Sequence, residues 1–214
     1  MGKAGKRYTA AKATATNHEP PRIALTGGIA CGKSLAAKML NDLGVETLDA
    51  DDIVHELLPD PAERRRIAAE VFTDPAKRRA LERRLHPQVR ARLFAWLDAP
   101  RAASAPPRVA VVPLLYEAGW EGDFDLVGCV ASARETQLER MIAKRGYSRE
   151  DALGRLAAQL PVEDKAARAD FVIRNDGTVD DLRAGVSAFA ETIREFNTRG
   201  EKNDIIRNML KAAE

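Results

Sequence analysis

Three glycines, a lysine and a serine lie close together near the start of the chain, within residues 24–40. Gly27 is followed after four residues by Gly32, Lys33 and Ser34, which is the complete spacing of a phosphate-binding loop. Glycines allow backbone N–H groups to converge on phosphate oxygens, and the helix that follows directs its positive end at the same point. In such a loop Lys33 can reach the β- and γ-phosphates, and the Ser34 hydroxyl can bind Mg²⁺. The pattern therefore predicts binding of ATP with Mg²⁺.

Three acidic residues, Asp49, Asp51 and Asp52, occur at the end of the second apolar segment of the chain. A carboxylate within reach of an acceptor hydroxyl can orient that hydroxyl and accept its proton during phosphoryl transfer. The alternative is structural, because Asp49 could cap a helix and the other two acids could be first-turn residues favoured by the helix dipole. Ligand sites in open parallel sheets form at the carboxyl ends of the strands, which favours Asp51 as the catalytic carboxylate.

A basic segment at residues 140–156 contains one lysine and four arginines, among them Arg140, beside Gly146 as a candidate hinge. Phosphoryl transfer requires cations that close over the transferring group, so we predict a lid at residues 140–160. The alternative is an amphipathic helix pair with a solvated basic face. The chain has no Asn-Lys-x-Asp sequence that would read guanine, and it is too short for a large ATPase motor. These features together predict a small-molecule kinase.

Five short apolar segments are predicted to be the strands that position these residues, at 22–26, 45–49, 108–115, 125–132 and 170–175. Helical segments separate them, as crossovers between parallel strands require. Nearly continuous apolar strands are typical of a sheet that is buried on both faces. We therefore predict an α/β, three-layer P-loop kinase fold with a five-stranded parallel sheet, a helical substrate-binding insert and a lid.

The connection between the second and third strands is long and basic, and we predict a small helical insert at residues 56–100. Three consecutive arginines at residues 64–66 either form a solvated helix face or bind the anionic groups of an acceptor, since guanidinium groups bind phosphate in forked pairs. His86 directly precedes Pro87, which we expect at the start of a helix. It is a candidate for a substrate contact or for a structural role.

Composition limits the partners and the compartment. The net charge of +2, from 34 basic and 32 acidic residues in 214, predicts no nucleic-acid partner. No apolar run approaches the ~20 residues that span a membrane, so no membrane partner is expected. Cys31 and Cys129 have neither disulfide-framework nor zinc-site spacing, which favours a reducing, cytoplasmic compartment. We expect a monomer or a weak homo-oligomer.

The kinase domain is predicted at residues 21–198, between two peripheral segments. Residues 1–20 are basic and have no apolar periodicity, which is typical of a disordered tail. Residues 199–214 follow the kinase domain, and from Gly200 onward their apolar side chains fall on one helix face, which predicts a short terminal helix.

Six sequence motifs occur in the order found in one kinase family: LTGGIACGKS, LDADDIVHELL, VFTDPAKRRALERRLHPQV, VVPLLYEAG, ETQLERMIAKRGYSREDALGRLAAQ and ADFVIRNDG. Together they resemble dephospho-CoA kinases over residues 22–190. The resemblance implies transfer of the ATP γ-phosphate to the ribose 3′-hydroxyl of dephospho-CoA, the last step of coenzyme A synthesis. It also implies a P-loop kinase core, a helical CoA-binding domain and a lid.

The resemblance assigns residues to catalysis, nucleotide binding and acceptor binding. It implies that Asp51 faces the 3′-hydroxyl, that Lys33 and Arg140 act on the phosphates, and that Asn175 lies near the adenine. The nucleotide site would contain Ala30, Cys31, Gly32, Lys33, Ser34, Leu35 and Asn175, with Ser34 also binding Mg²⁺. The acceptor site would contain Thr26, Asp51, His86, Leu114 and Glu117.

The chain departs from the family pattern in the loop and in the insert. Ala30 stands where the family usually has Gly, Cys31 where it has Ser, and Leu35 where it has Thr. The connection between the helix after Asp51 and the sequence VFTDP is also shorter than usual. Two alternatives remain open: a kinase for another small metabolite, or a non-catalytic ATP-binding paralogue.

Cys31 carries a prediction of its own, because it directly precedes the expected start of the first helix. A helix N-terminus lowers the pKa of a thiol, so we expect Cys31 to be alkylated readily and to be protected by ATP and Mg²⁺. The alternative is a small side chain that is packed under the loop and does not react.

Overall fold

The computed structural model describes residues 20–102 and 104–199. Its five strands form one parallel sheet in the order β2-β3-β1-β4-β5, so the predicted five-stranded α/β architecture is confirmed. The strands are β1 (Ile23–Gly27), β2 (Glu46–Asp49), β3 (Arg108–Val111), β4 (Leu126–Ala131) and β5 (Phe171–Arg174).

Helices connect the strands and cover the sheet. They are α1 (Lys33–Asp42), α2 (Ala50–Leu57), α3 (Pro61–Thr73), α4 (Pro75–Leu97), α5 (Arg134–Arg145), α6 (Arg149–Ala157), α7 (Val162–Arg168) and α8 (Val179–Arg199), with a 3₁₀ turn at Glu121–Asp123. The predicted basic tail, apart from Pro20, and the predicted terminal helix beyond Arg199 lie outside the described residues.

The two central strands are buried along their whole length, because helices cover both faces of the sheet. Gly128 in β4 shows how closely α8 approaches, since a Cβ atom there would lie 2.5 Å from the ring of Phe189. Phe189 also packs against Phe171 of β5, with ring centroids 5.1 Å apart. These contacts pack α8 closely against β4 and β5 of the sheet.

The insert consists of α3 and α4, each begun by an Asp-Pro pair in which the aspartate caps the helix and the proline occupies its first turn. Helix α4 runs through Pro87, so the expectation of a helix start at this proline is wrong. Proline lacks the N–H that would donate to the carbonyl four residues earlier, that of Arg83. The side chain of Gln88 donates to the neighbouring carbonyl of Arg84 (2.9 Å). A buried face of α4, formed by Leu85, Val89, Leu93 and Leu97, anchors this helix to the body of the protein.

None of the helices within residues 20–199 is both long and apolar enough to cross a membrane.

Candidate active site

The phosphate loop, residues 27–34, connects β1 to α1 and has space only for glycine at its key positions. A Cβ atom on Gly27 would lie 2.4 Å from the carbonyl oxygen of Val130. Gly32 has a φ of +90° and precedes α1, and a Cβ atom there would lie 2.3 Å from Nδ2 of Asn175. Both glycines of the sequence pattern are therefore required by close approach of the surrounding structure, in addition to their role toward a ligand.

Three consecutive carbonyls of the phosphate loop accept hydrogen bonds from side chains outside it. Nε2 of Gln137 donates to Ile29 (2.7 Å), Nη1 of Arg140 donates to Ala30 (3.4 Å), and Nδ2 of Asn175 donates to Cys31 (2.8 Å). We call Gln137, Arg140 and Asn175 the brace residues. In a trans peptide the N–H points away from its C=O, so the outward carbonyls of Ile29 and Cys31 direct the next N–H groups, those of Ala30 and Gly32, toward the hollow of the loop. The N–H of Cys31 donates within the loop to the carbonyl of Gly28 (3.3 Å). The first N–H groups of α1 also have no acceptor within the helix and add to this anion-binding surface.

Two of the brace residues, Arg140 and Asn175, are themselves connected at the carboxyl end of β5. Arg140 donates through Nη2 to the carbonyl of Asn175 (2.8 Å) and through Nη1 to Oγ of Ser132 (3.1 Å). Ser132 in turn donates to the same Asn175 carbonyl (2.8 Å). The structure therefore places Arg140 and Asn175 together against the phosphate loop. Their predicted contacts with ATP, over the phosphates and near the adenine, remain predictions.

Cys31 is buried beneath the loop with no exposed surface. Burial raises the pKa of its thiol, and hydrogen bonds from Ser132 offset this only in part. The prediction of a lowered thiol pKa is therefore wrong, because desolvation outweighs the helix dipole, and burial favours the alternative of a packed side chain that does not react. Its neighbour Ala30 has a φ of +59°, a left-handed conformation that glycine adopts with less strain than alanine.

The acidic residues lie at the start of α2, where β2 ends. Asp49 caps the helix, and its Oδ1 accepts from the N–H of Asp51 (3.0 Å), so the structural alternative holds for this residue. Burial raises the pKa of Asp49, while Lys33 lies near enough to oppose that shift. Asp51 is exposed and lines a cavity, which leaves its carboxylate free to meet an acceptor.

Two adjoining cavities lie between the phosphate loop, the insert and the loop after β3. The larger, of about 400 Å³, is lined by Ile29, several α4 side chains and residues of α6. The smaller, of about 130 Å³, is mostly apolar and has Asp51 in its wall. They share four lining residues, which are Glu82, His86, Leu114 and Ala118.

Four of the five residues predicted for the acceptor site are brought together by these cavities: Asp51, His86, Leu114 and Glu117. The ring of His86 packs edge-on against Trp120, with centroids 5.4 Å apart. Thr26 is different, because it is fully buried and its hydroxyl donates to the carbonyl of Pro113 (3.4 Å).

The cationic residues of the larger cavity are Arg78 and Arg79 of α4 and Arg155 of α6. Residues 64–66 line neither cavity. Arg64 donates instead to the carbonyls of Leu58 and Pro59, where α2 ends. The arginines placed to meet an anionic acceptor are therefore those of the next helix in the insert.

Sequence reasoning missed two buried polar residues that border the site, Gln137 and Lys165. Both had a detectable signal, since each occupies a position on the apolar face of its helix. Lys165 falls between Val162 and Ala166 on the buried side of α7, where an uncharged residue would be expected.

Comparison with known proteins identifies the family. The model for dephospho-CoA kinase matches residues 22–63 and 60–181, which together span most of the chain. The chain belongs to the dephospho-CoA kinase family. A dephospho-CoA kinase of Symbiobacterium thermophilum is 41% identical over 187 residues, covering 78% of this chain and 78% of that protein. That of Geobacter sulfurreducens is 39% identical, covering 75% of this chain and 92% of that protein.

Solved structures agree with this membership. A protein from Thermus thermophilus is 37% identical with a TM-score of 0.64, covering 80% of this chain and 97% of that one. Dephospho-CoA kinase from Campylobacter jejuni is 25% identical with a TM-score of 0.53, covering 81% and 97%. A shikimate kinase from Bacteroides thetaiotaomicron, 18% identical with a TM-score of 0.52 and covering 81% and 98%, shares the fold. The predicted P-loop kinase fold and enzyme class are confirmed, and neither alternative function is favoured.

Proposed function

We propose that this chain transfers the γ-phosphate of ATP to the ribose 3′-hydroxyl of dephospho-CoA, giving coenzyme A. The observation that carries this proposal is the position of Asp51. Asp51 is exposed and lies in the wall of the smaller cavity, which shares four lining residues with the larger cavity that Ile29 of the phosphate loop lines. Lys33 of the loop acts electrostatically on Asp49, two residues before Asp51, so the donor and acceptor sites adjoin near this carboxylate. An acceptor hydroxyl held there can be aimed at the terminal phosphorus of ATP.

On the donor side, the inward N–H groups of the phosphate loop and the Lys33 ammonium hold the β- and γ-phosphates. The part of the chain that the structure describes has no cluster of three His, Cys, Asp or Glu side chains that could hold a metal ion. This fits Mg²⁺, which is usually bound by few protein ligands together with substrate phosphates. The exposed hydroxyl of Ser34, in the first turn of α1, would be its protein ligand.

On the acceptor side, the mostly apolar smaller cavity takes the adenosine end of dephospho-CoA, which places its ribose at Asp51. The diphosphate then extends into the larger cavity, where Arg78 and Arg79 supply positive charge. The 3′-oxygen attacks the γ-phosphorus, the bond to the β–γ bridging oxygen breaks, and ADP leaves. The proton of the hydroxyl passes to Asp51.

The lid is proposed at residues 140–160, within the kinase domain of residues 21–198. Gly146 ends α5 with a φ of +68°, which suits a hinge, and α6 beyond it contributes Arg155 to the larger cavity. Closure of this segment would bring Arg155 toward the phosphates while Arg140 remains with the phosphate loop.

We further propose a cytoplasmic location and, as expected from the sequence, an acting unit that is a monomer or a weak homo-oligomer. Both cysteines are free and buried, which suits a reducing compartment.

The test is a coupled assay of ADP release with dephospho-CoA, ATP and Mg²⁺, with the product identified by mass spectrometry. Lys33→Ala should lower the rate by about 10²–10³-fold, the usual cost of losing a preorganised donor at developing charge. Asp51→Asn should keep ATP binding within a few fold and lower kcat by about a hundredfold or more. Asp52→Asn, which removes a neighbouring exposed acid, is the matched control.

Three outcomes would contradict the proposal. Wild-type protein that phosphorylates another alcohol better than dephospho-CoA would indicate a different metabolite kinase. Binding of ATP without transfer to any acceptor would indicate a non-catalytic paralogue. Normal turnover by Asp51→Asn would exclude this carboxylate as the base even if the reaction is as proposed.

A further inference from the structure

Lys165 of α7 is a fully buried lysine that lies behind the acceptor cavities. Its side chain has no exposed surface, and its Nζ donates to Oε1 of Glu117 (2.7 Å) and to the carbonyl of Pro113 (2.9 Å). A buried ammonium needs such partners, because it has lost its hydration. Both partners belong to the segment after β3, residues 113–119, which we call the acceptor wall.

The acceptor wall lines both cavities. Leu114 and Ala118 line the two of them, Pro113 lines the smaller and Glu117 the larger. Its position relative to the phosphate loop therefore decides where an acceptor lies with respect to ATP. Lys165 contacts this wall from the side away from the cavities.

The two oxygen atoms that accept hydrogen bonds from Lys165 also connect the acceptor wall to the phosphate loop and to the proposed lid. The Pro113 carbonyl that receives Lys165 also receives the hydroxyl of Thr26, at the end of β1 just before the phosphate loop. The Glu117 oxygen that receives Lys165 also receives the N–H of Leu160, where the proposed lid ends (3.0 Å). One ammonium thus joins the phosphate loop, the acceptor wall and the end of the lid.

We propose that Lys165 and Glu117 form a positioning pair that sets the acceptor wall against the phosphate loop and ties it to the lid. Neither residue acts on the reacting atoms. The inference rests on the proposed function, since it concerns where that acceptor is held. Replacing both partners of a buried ion pair is often neutral or stabilising, whereas removing one leaves the other charge unpaired. A double variant at both residues, rather than Lys165→Met alone, therefore shows how little the pair adds to stability.

The experiment compares Lys165→Met, Glu117→Gln and the double variant with wild type, by steady-state kinetics and thermal unfolding. Lys165→Met should lower kcat/KM for dephospho-CoA by about ten- to a hundredfold, the scale of a misplaced substrate, and leave the KM for ATP within about threefold. The double variant should be no worse than Lys165→Met, because both changes remove one interaction. Glu46→Gln is the matched control: it breaks an ion pair with Arg108 at the opposite edge of the sheet (3.0 Å) and should leave both substrates unaffected.

An acceptor kcat/KM equal to wild type in folded Lys165→Met would overturn the inference. So would equal losses toward ATP and dephospho-CoA together with a large fall in Tm, which would indicate a purely structural pair.

If Lys165→Met does not fold, Glu117→Gln and the double variant give the same comparison. If wild type itself does not phosphorylate dephospho-CoA, the proposed function fails, and calorimetric titration with dephospho-CoA tests the pair separately. Weaker binding by Lys165→Met than by wild type then supports the inference, and equal or absent binding by both overturns it.

Discussion

The hydrogen bond from Asn175 to the phosphate loop allows a quantitative prediction. In Asn175→Ala, the carbonyl of Cys31 loses its 2.8 Å donor, while the Asn175 backbone carbonyl keeps its bonds from Arg140 and Ser132. Cys31 is fully buried, so water does not readily replace the lost donor. An unsatisfied buried acceptor costs about 1–3 kcal/mol.

Whether this cost lowers the free energy of unfolding or the ATP affinity depends on how the phosphate loop responds to the loss of the hydrogen bond. If the loop keeps its conformation without ligand, the full cost lowers the free energy of unfolding, and Tm falls by roughly 2–4 °C per kcal/mol for a domain of this size. If the loop relaxes and re-forms only around ATP, the cost weakens ATP binding by about 5- to 150-fold. The two losses should add to about 1–3 kcal/mol in either case.

The assay combines calorimetric titration with ATP and denaturant unfolding of wild type and variant. Asn41→Ala is a matched control, because Asn41 also makes side-chain hydrogen bonds, to Thr47, but at the exposed end of α1 away from the loop. The control should leave ATP affinity unchanged. Unchanged stability and unchanged ATP affinity in Asn175→Ala would refute the reasoning that the brace residues hold the loop.

A second substitution tests the same contact from the other side. Gly32→Ala places a Cβ atom 2.3 Å from Nδ2 of Asn175, at a φ of +90°. It should weaken ATP binding more than Asn175→Ala does. Combining it with Asn175→Ala removes the clash, so Gly32→Ala should cost less in that background than in wild type. Strictly additive effects would show that the two side chains do not meet.

Three other changes have directions fixed by the structure. The double variant Arg78→Ala/Arg79→Ala should raise the KM for dephospho-CoA about tenfold or more and leave the KM for ATP nearly unchanged. Alanines at residues 64–66 should change neither KM, and steady-state kinetics of both variants decides between the two sites. Ala30→Gly removes left-handed strain of about 1–2 kcal/mol from the loop and should bind ATP at least as tightly as wild type, as measured by titration. Cys31 should react with a thiol reagent only after denaturant unfolding; rapid labelling of the native protein would show that the loop opens.

The parts of the fold that sequence predicted are those specified by local patterns. Each strand is a short apolar run, and the phosphate loop is determined by glycines whose spacing is itself the signal. The contacts that hold the loop are not local, since Asn175 and Cys31 are 144 residues apart in the chain and Gln137 and Ile29 are 108 apart. No periodicity or propensity encodes such a pair.

Errors in the sequence predictions have the same physical origin. The low pKa expected for Cys31 followed a local rule about helix dipoles, and burial, which depends on the whole fold, reversed it. The density of charge at residues 64–66 left two roles open, because the direction of a side chain depends on how its helix packs. Arg64 points toward the end of α2, while Arg78 and Arg79 on the next helix point into the larger cavity.

The short connection in the insert can now be related to function. The family match divides into two segments that overlap at residues 60–63, at the start of α3 and within the connection that the sequence pattern marks as short. The side chains that line the two cavities come mainly from α2, α4, α6, the phosphate loop and the loop after β3, and none belongs to residues 58–67 or 69–71, the side chains that the structure describes in this connection. Helix α4 is held by its own buried face, independently of the length of that connection. The shortening therefore lies outside the surface that would hold dephospho-CoA, and we expect it to leave acceptor binding intact.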